Sequence, residues 1–247
     1  FLFQGAPGTG KTEAVKQLAR ILNREIFMVD FSSVIDSKLG QTQKNLSMLF
    51  KEINQFAQPD KVIVLFDEID ALALDRTNQN DLREMGRATS TMLKEFDRMN
   101  EDVVLIATNL YQYFDRALIR RFDSVIDFNR YSQEDLLSIA EQMLDRYLDK
   151  LKLANRDIRL FRKIMKLMSK LPYPGELKNL IRTSVAFSNP KDGMDYFRRL
   201  YYAVCNEKPD DLKKLQSQKF TVREMEILVG RSKSSVARDL KEGVRDE

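Results

Sequence analysis

The chain has 247 residues, a formal net charge of +4, 43% hydrophobic residues and 32% charged residues. It can therefore form one large globular domain or two smaller ones. A single cysteine, Cys205, excludes an intramolecular disulfide, and the absence of histidine argues against zinc and leaves only carboxylates or lysine as a general base. No apolar run approaches the roughly 20 residues of a membrane span and no signal peptide is visible, so we expect a cytoplasmic protein without a membrane partner.

A phosphate-binding pattern stands near the start of the chain. Residues 1–3 (FLF) have the character of a buried strand end, and residues 13–23 have apolar residues at helical spacing. The segment between them, GAPGTGKT, fits G-x-x-x-x-G-K-[ST] at every fixed position. The predicted nucleotide-binding residues are Gly5, Ala6, Pro7, Gly8, Thr9, Gly10, Lys11, Thr12 and Glu13. Lys11 would reach the β- and γ-phosphates, and the Thr12 hydroxyl would ligate Mg²⁺.

Strand and helix patterns alternate over the next hundred residues. Strands are predicted at 26–30, 62–66, 103–107 and 124–128, and helices at 42–58, 82–99 and 115–121. The run VIVLF at 62–66 is typical of a central strand buried on both faces. The alternation predicts an α/β fold, with a parallel, doubly wound sheet between helical layers.

From residue 132 onward the strand patterns stop. Helices are predicted at 132–150, 157–170, 175–187 and 193–205, and more helices follow Pro209. We therefore predict an α/β nucleotide domain over 1–130, an all-α lid over 131–207 and a small helical extension over 208–247. Because the phosphate pattern begins only a few residues into the chain, we expect the sequence to be a fragment that lacks an N-terminal flank.

Polar residues at the predicted strand ends supply a catalytic set. Asp67 and Glu68 directly follow the central strand, where Asp67 would hold Mg²⁺ and Glu68 would polarise the attacking water. Asn109 ends the next strand and could orient the same water. Arg120 and Arg121 stand where a cation for the γ-phosphate is expected.

Together these motifs resemble the AAA+ ATPase module. The residues that carry the resemblance are GAPGTGKT (5–12), IVLFDEID (63–70), ATN (107–109) and FDRALIRRFD (114–123), and the resemblance covers residues 1–205. It implies ATP and Mg²⁺ as ligands, a homo-oligomeric ring that is commonly a hexamer, and a sensor-1 role for Asn109. It also implies that an arginine acts on the ATP of the next subunit. Arg120 and Arg121 are adjacent here, whereas many members separate them, so either could be that arginine.

Two segments depart from the family pattern. Lys178, within YPGELKN (173–179), stands where a sensor-2 arginine is common, and it would bind nucleotide with charge but without a planar fork. The alternative is that Lys178 is a solvated lysine of the lid. Lys38, within SKLG (37–40), replaces the aromatic residue of a threading pore loop, although Leu39 remains. A ring of lysines, one from each subunit, facing the channel would suit an acidic strand such as a nucleic-acid backbone.

The C-terminal segment 220–241 resembles a helix-turn-helix. Thr221 and Glu224 form a capping-box pattern, and Gly230 permits a turn. The second helix would present its polar and basic residues to duplex DNA; these are Lys233, Ser234, Ser235 and Arg238. Two amphipathic helices with lysines would also fit an ordinary extension of the lid.

Three functions are compatible with these patterns. The first is an ATP-hydrolysing ring that acts on or near DNA. The second is an ATPase that remodels a protein client and uses the C-terminal segment for docking. The third is a regulator whose assembly is controlled by ATP binding.

Overall fold

A computed structural model describes residues 1–35, 40–67, 69, 79–109, 116–151 and 155–242; at 32, 79–85, 109 and 242 it describes the backbone alone. The chain divides into two compact units, Phe1–Arg130 and Tyr131–Glu247. We call them the first and the second unit.

The first unit contains a parallel sheet of five strands. The strands are β1 (Leu2–Gln4), β2 (Glu25–Asp30), β3 (Val62–Asp67), β4 (Val104–Asn109) and β5 (Val125–Asp127). Their order is β2-β3-β4-β1-β5, and every neighbouring pair is parallel. The predicted α/β class with a parallel sheet is confirmed.

Helices cover both faces of this sheet. They are α1 (Lys11–Leu22), α2 (Gln41–Asn54), α3 (Gln79–Phe96) and α4 (Arg116–Ile119). Alternation along β3 explains the layers: Ile63 and Leu65 pack in the cluster that contains Val15 of α1, whereas Val64 and Phe66 pack in the cluster that contains α2 and α3. Because β3 is buried on both faces, its sequence is a continuous apolar run.

The carboxyl ends of the strands form one edge. Asp30 is opposite Asp67 in the β2–β3 register, and Gln4 is opposite both Asn109 of β4 and Asp127 of β5. The segments that carry the predicted site leave the sheet from this edge, which is where open α/β sheets bind their ligands.

The second unit is helical throughout the part that the structure describes. Its helices are α5 (Gln133–Leu151), α6 (Ile158–Met165), α7 (Pro174–Ala186), α8 (Asp195–Cys205), α9 (Leu212–Ser217), α10 (Val222–Val229) and α11 (Lys233–Glu242). The helix predicted at 157–170 ends early. After Met165 the chain continues in turns, in which Leu167 and Met168 donate to carbonyls three residues earlier.

The last three helices share their hydrophobic core with the earlier ones. Leu215, Phe220, Met225, Leu228 and Val236 lie in the same buried cluster as the apolar residues of α5 to α8. The separation of a lid over 131–207 from an extension over 208–247 stays a prediction about domains, but the core is continuous across residue 208. Among the described helices, none is both long enough and apolar enough to cross a membrane.

Candidate active site

The phosphate-binding segment forms a tight loop between β1 and α1. Gly5, Gly8 and Gly10 have φ angles of 153°, 77° and 98°, a region that residues with a Cβ rarely adopt. A Cβ on Gly5 would lie 3.0 Å from the Cβ of Phe128 and 3.1 Å from the Thr9 hydroxyl oxygen. Backbone conformation therefore explains all three glycines, of which the motif fixes Gly5 and Gly10, and close packing adds a second reason at Gly5.

The loop leads directly into the amino end of α1. Gly10 is the N-cap residue and has a left-handed conformation, and no side chain caps the helix. The first N–H groups of a helix have no partner within the helix, and together with the helix dipole they attract anions. Thr12 and Glu13 stand in this first turn, so the predicted nucleotide-binding residues flank an amino end that suits phosphate.

The carbonyl groups of Gly5 and Ala6 are held by two side chains of the loop. The Lys11 ammonium donates to the Gly5 oxygen at 2.6 Å and to the Ala6 oxygen at 3.0 Å. The hydroxyl of the buried Thr9 donates to the same Ala6 oxygen at 2.8 Å. Lys11 therefore folds back on its own loop in this conformation.

Asp67 ends β3 beside a residue that the sequence analysis did not select. The Thr108 hydroxyl of β4 donates a short hydrogen bond to Oδ1 of Asp67, and Thr108 is only 3% exposed. The strand register brings the two together, because Phe66 is opposite Ala107 in the preceding pair. This bond holds Oδ1 of the carboxylate in place. The signals in the sequence were the position of Thr108 at a strand end and its place within the segment ATN (107–109).

Several predicted site residues lie outside the described part of the chain. They are Glu68, Lys38 and Leu39, together with the side chain of Asn109. Asn109 is the last residue of β4, and its backbone lies opposite that of Gln4. The catalytic role of Glu68, the water-orienting role of Asn109 and the pore-loop interpretation of residues 37–40 stay predictions.

The two arginines after α4 differ in their contacts. Arg121 forms a two-pronged ion pair with Asp97, with Nε 2.7 Å from Oδ1 and Nη2 3.0 Å from Oδ2. Arg120 is exposed, and no carboxylate among the described residues pairs with it. Among the described residues, a carboxylate holds Arg121 but not Arg120.

In the second unit, Lys178 is an exposed residue of α7. Its predicted contact with nucleotide stays a prediction.

The C-terminal segment forms two helices with the predicted capping box. The Thr221 hydroxyl accepts from the Glu224 N–H at 3.3 Å, and Glu224 accepts from the Thr221 N–H at 2.7 Å. Burial alone would raise the pKa of Glu224, but the hydrogen bonds from Lys163 and from Thr221 outweigh it and lower that pKa. Gly230 has a φ of 71° between α10 and α11, and Glu226 accepts from the N–H of Lys233 at 3.2 Å.

Helix α11 has one buried face and one basic face. Val236 is fully buried, whereas Lys233, Ser234, Arg238 and Lys241 are exposed and Ser235 is partly exposed. This distribution agrees with the predicted outward set. The assignment of the two helices as a DNA-binding motif stays a proposal.

The oxygen donors at the sheet edge suit Mg²⁺. Thr12 offers a hydroxyl and Asp67 a carboxylate whose orientation is fixed by Thr108. Mg²⁺ at such sites takes one or two protein oxygens and completes its shell with phosphate oxygens and water. The described residues contain no group of three or more acidic, cysteine or histidine side chains that could hold a metal ion.

A glycine-rich loop that enters a helix at the carboxyl edge of a parallel sheet, with a carboxylate at the end of β3 two strands away from β1, defines a phosphate-loop nucleotide-binding domain. Residues 1–130 match the family described as "ATPase family associated with various cellular activities (AAA)". This chain belongs to that family.

Curated relatives agree with this family. An uncharacterized AAA family ATPase of Sinorhizobium fredii is 38% identical over 130 residues, which cover 52% of this chain and 38% of that protein. A putative 26S proteasome regulatory subunit homolog of Methanothermobacter thermautotrophicus is 29% identical over 151 residues, or 60% of this chain and 39% of that protein. The peroxisomal ATPase PEX6 of Saccharomyces cerevisiae is 36% identical over 132 residues, or 51% of this chain and 12% of that protein. The chain thus spans less than two fifths of the length of each of these relatives.

Proposed function

We propose that this protein binds ATP with Mg²⁺ at the carboxyl edge of the sheet and hydrolyses it. The observation that carries the proposal is the pairing of an uncapped helix start, entered through three glycines of positive φ, with a strand-end carboxylate fixed by Thr108. Phosphoryl transfer requires positioning and charge stabilisation more than covalent chemistry from the protein. The loop and helix start would position the phosphates, and the carboxylate would position Mg²⁺.

Each residue of the site has a defined task in this proposal. The loop N–H groups and the amino end of α1 hold the β-phosphate, and Lys11 leaves the carbonyls of Gly5 and Ala6 to contact the phosphate oxygens. Thr12 and Asp67 would hold Mg²⁺, which supplies charge neutralisation at the β- and γ-phosphates when it is bound. Glu68 accepts the proton of the attacking water, and Asn109 orients that water.

The protein would act as a homo-oligomeric ring, commonly a hexamer, with the ATP site between subunits. Arg121 is engaged with Asp97 of its own chain, whereas Arg120 is exposed and has no such partner in the described part. We assign the arginine that acts in trans to Arg120 on this ground, because Arg121 would first have to give up its ion pair with Asp97 to reach a neighbouring ATP. Lys178 of the lid would contribute a further positive charge that attracts the nucleotide phosphates.

Two kinds of macromolecule are candidates for what the protein moves when it hydrolyses ATP. The names of the relatives, a proteasome regulatory subunit homolog and a peroxisomal ATPase, favour a protein client. Duplex DNA is the second candidate, and the exposed basic face of α11 favours it. Measurement of duplex binding as a function of salt concentration separates the two.

The first test is ATP turnover by wild type and by Glu68→Gln. We expect Glu68→Gln to bind ATP as wild type does and to lose about a hundredfold or more in turnover, because the amide cannot accept the water proton. Asp60→Asn, an exposed carboxylate before β3, serves as the control and should keep full turnover. Retained hydrolysis in Glu68→Gln would overturn the catalytic assignment. If wild type binds ATP without turning it over, the protein is a nucleotide-gated regulator instead.

A further inference from the structure

Asn129 contacts the phosphate loop from the far end of the first unit. Its side-chain oxygen Oδ1 accepts a hydrogen bond from the N–H of Ala6 at 2.9 Å, across 123 positions in sequence. Asn129 belongs to none of the motifs by which the site was predicted. Its contact is with the second residue of the loop, directly after Gly5.

Asp127 orients the amide group of Asn129. The Asn129 side-chain nitrogen donates to Asp127 Oδ1 at 3.0 Å, and the Asn129 backbone N–H donates to the same oxygen at 2.9 Å. Because a carboxylate accepts only, the amide nitrogen must face Asp127 and the amide oxygen must face the loop. The direction of the Ala6 bond is therefore set by a second residue.

The two residues stand on a rigid support. Asp127 is opposite Gln4 in the register of β1 and β5, and the Phe128 N–H donates to the Gln4 carbonyl at 2.8 Å. The same backbone lies against Gly5, since a Cβ there would be 3.0 Å from the Phe128 Cβ and 3.4 Å from Asn129 Oδ1. The end of β5 thus holds the point at which β1 becomes the phosphate loop.

The other bonds at Ala6 involve its carbonyl group. Lys11 and Thr9 both donate to the Ala6 oxygen, and Lys11 must leave it to contact phosphate under the proposed function. The bond to Asn129 uses the Ala6 N–H and competes with no phosphate contact of Lys11. It can persist while Lys11 changes partners.

The chemistry of the side chain also suits a phosphate site. An asparagine oxygen accepts the hydrogen bond without a net charge, whereas a carboxylate in its place would repel the nucleotide phosphates. We propose that Asn129, oriented by Asp127, is a positioning residue that holds the entrance of the phosphate loop in the shape that binds nucleotide. This inference rests on the proposed ATP-binding function.

The test compares Asn129→Ala with Arg130→Ala. Arg130 is the next residue and pairs with Asp127 at 3.4 Å, but its side chain is 84% exposed and it has no described bond to the loop. Calorimetry with ATP and Mg²⁺ should show about a three- to tenfold higher Kd for Asn129→Ala, the loss of one net hydrogen bond, and little change for Arg130→Ala. Because Asn129 is exposed, the melting temperature without nucleotide should stay the same in both.

A variant at Asp127 tests the orientation of the amide separately. Asp127→Ala keeps Asn129 but removes the carboxylate that orients its amide, so amide exchange at Ala6 should lie between the rates of wild type and of Asn129→Ala. Amide exchange at Ala6, measured without nucleotide, should be faster in Asn129→Ala than in wild type.

The outcomes separate the two proposals. Unchanged exchange at Ala6, or a Kd for Asn129→Ala equal to that of Arg130→Ala, would overturn the role of Asn129. So would a loss of affinity that only follows a fall in melting temperature. Failure of the wild-type protein to bind ATP would overturn the proposed function alone, since the exchange measurement still decides whether Asn129 holds the loop.

Discussion

The hydrogen bond between Thr108 and Asp67 orients the carboxylate of the proposed Mg²⁺ site. A buried hydroxyl next to a metal-binding carboxylate restricts the carboxylate to one orientation, and such outer partners affect metal affinity strongly. The predicted ligand Asp67 therefore depends on a neighbour from the adjacent strand.

We expect Thr108→Val to lower ATP turnover about tenfold and to raise the Mg²⁺ concentration for half-maximal turnover. Valine has nearly the same shape as threonine and favours a strand, so the fold should persist. The measurement is turnover against Mg²⁺ concentration, with Thr108→Ser as the control because it keeps the hydroxyl. Equal Mg²⁺ dependence in the valine and serine variants would show that the hydrogen bond has no role in the metal site.

At the scale of elements, α10 and α11 are anchored to the second unit through several contacts. Met225 and Leu228 of α10 and Val236 of α11 lie in its core, and Lys163 of α6 pairs with Glu224 at 2.6 Å. These contacts leave the basic face of α11 exposed on a supported helix. A supported basic helix is what groove binding requires, although lid packing alone would also produce it.

If α11 binds DNA, changing Lys233 and Arg238 together to glutamate should strongly weaken duplex binding and reduce the salt dependence of the binding that remains. The reason is that phosphate contacts by cations account for most of that dependence. Fluorescence anisotropy of a labelled duplex at several salt concentrations measures both effects. The control changes Lys166 and Lys170 to glutamate, which alters the net charge equally at other exposed positions of the second unit. Equal losses in both double variants would indicate charge alone, and unchanged binding would exclude α11.

At the scale of the whole molecule, the ATP site is expected to be complete only in an assembly. The first unit supplies the phosphate loop, Asp67 and Thr108 to one site. The exposed Arg120 would serve the site of a neighbour, while Arg121 remains paired with Asp97.

Mixing two inactive variants tests this arrangement. Arg120→Ala and Lys11→Ala should each lose about a thousandfold in turnover, because one removes the arginine that acts in trans and the other a loop cation. When the two proteins are mixed, an intact loop can stand beside an intact Arg120, so part of the turnover should return. Arg121→Ala should keep most of its turnover. If instead Arg121→Ala shows the recovery on mixing and Arg120→Ala stays active, the assignment of the two arginines is reversed.

Local sequence patterns were enough to predict the fold class, the family and most of the nucleotide site. The spacing of glycines, Lys11 and Thr12 indicated a phosphate loop, and the apolar run before Asp67 indicated a central strand, because backbone conformation and burial restrict residue type locally. The α/β class and the family follow from the same short segments. Helix ends were harder to predict: α6 was predicted over 157–170 but ends at Met165. Whether the chain continues as a helix or as turns at such a point depends on packing.

Only the tertiary structure decided which distant residues meet. The strand order places Thr108 beside Asp67 and the end of β5 beside Gly5, so that Asn129 bonds Ala6. It also distinguishes Arg121, paired with Asp97, from its neighbour Arg120. No local pattern could show these contacts, because each joins residues that are far apart in sequence and depends on the order and register of parallel strands or on the packing of helices.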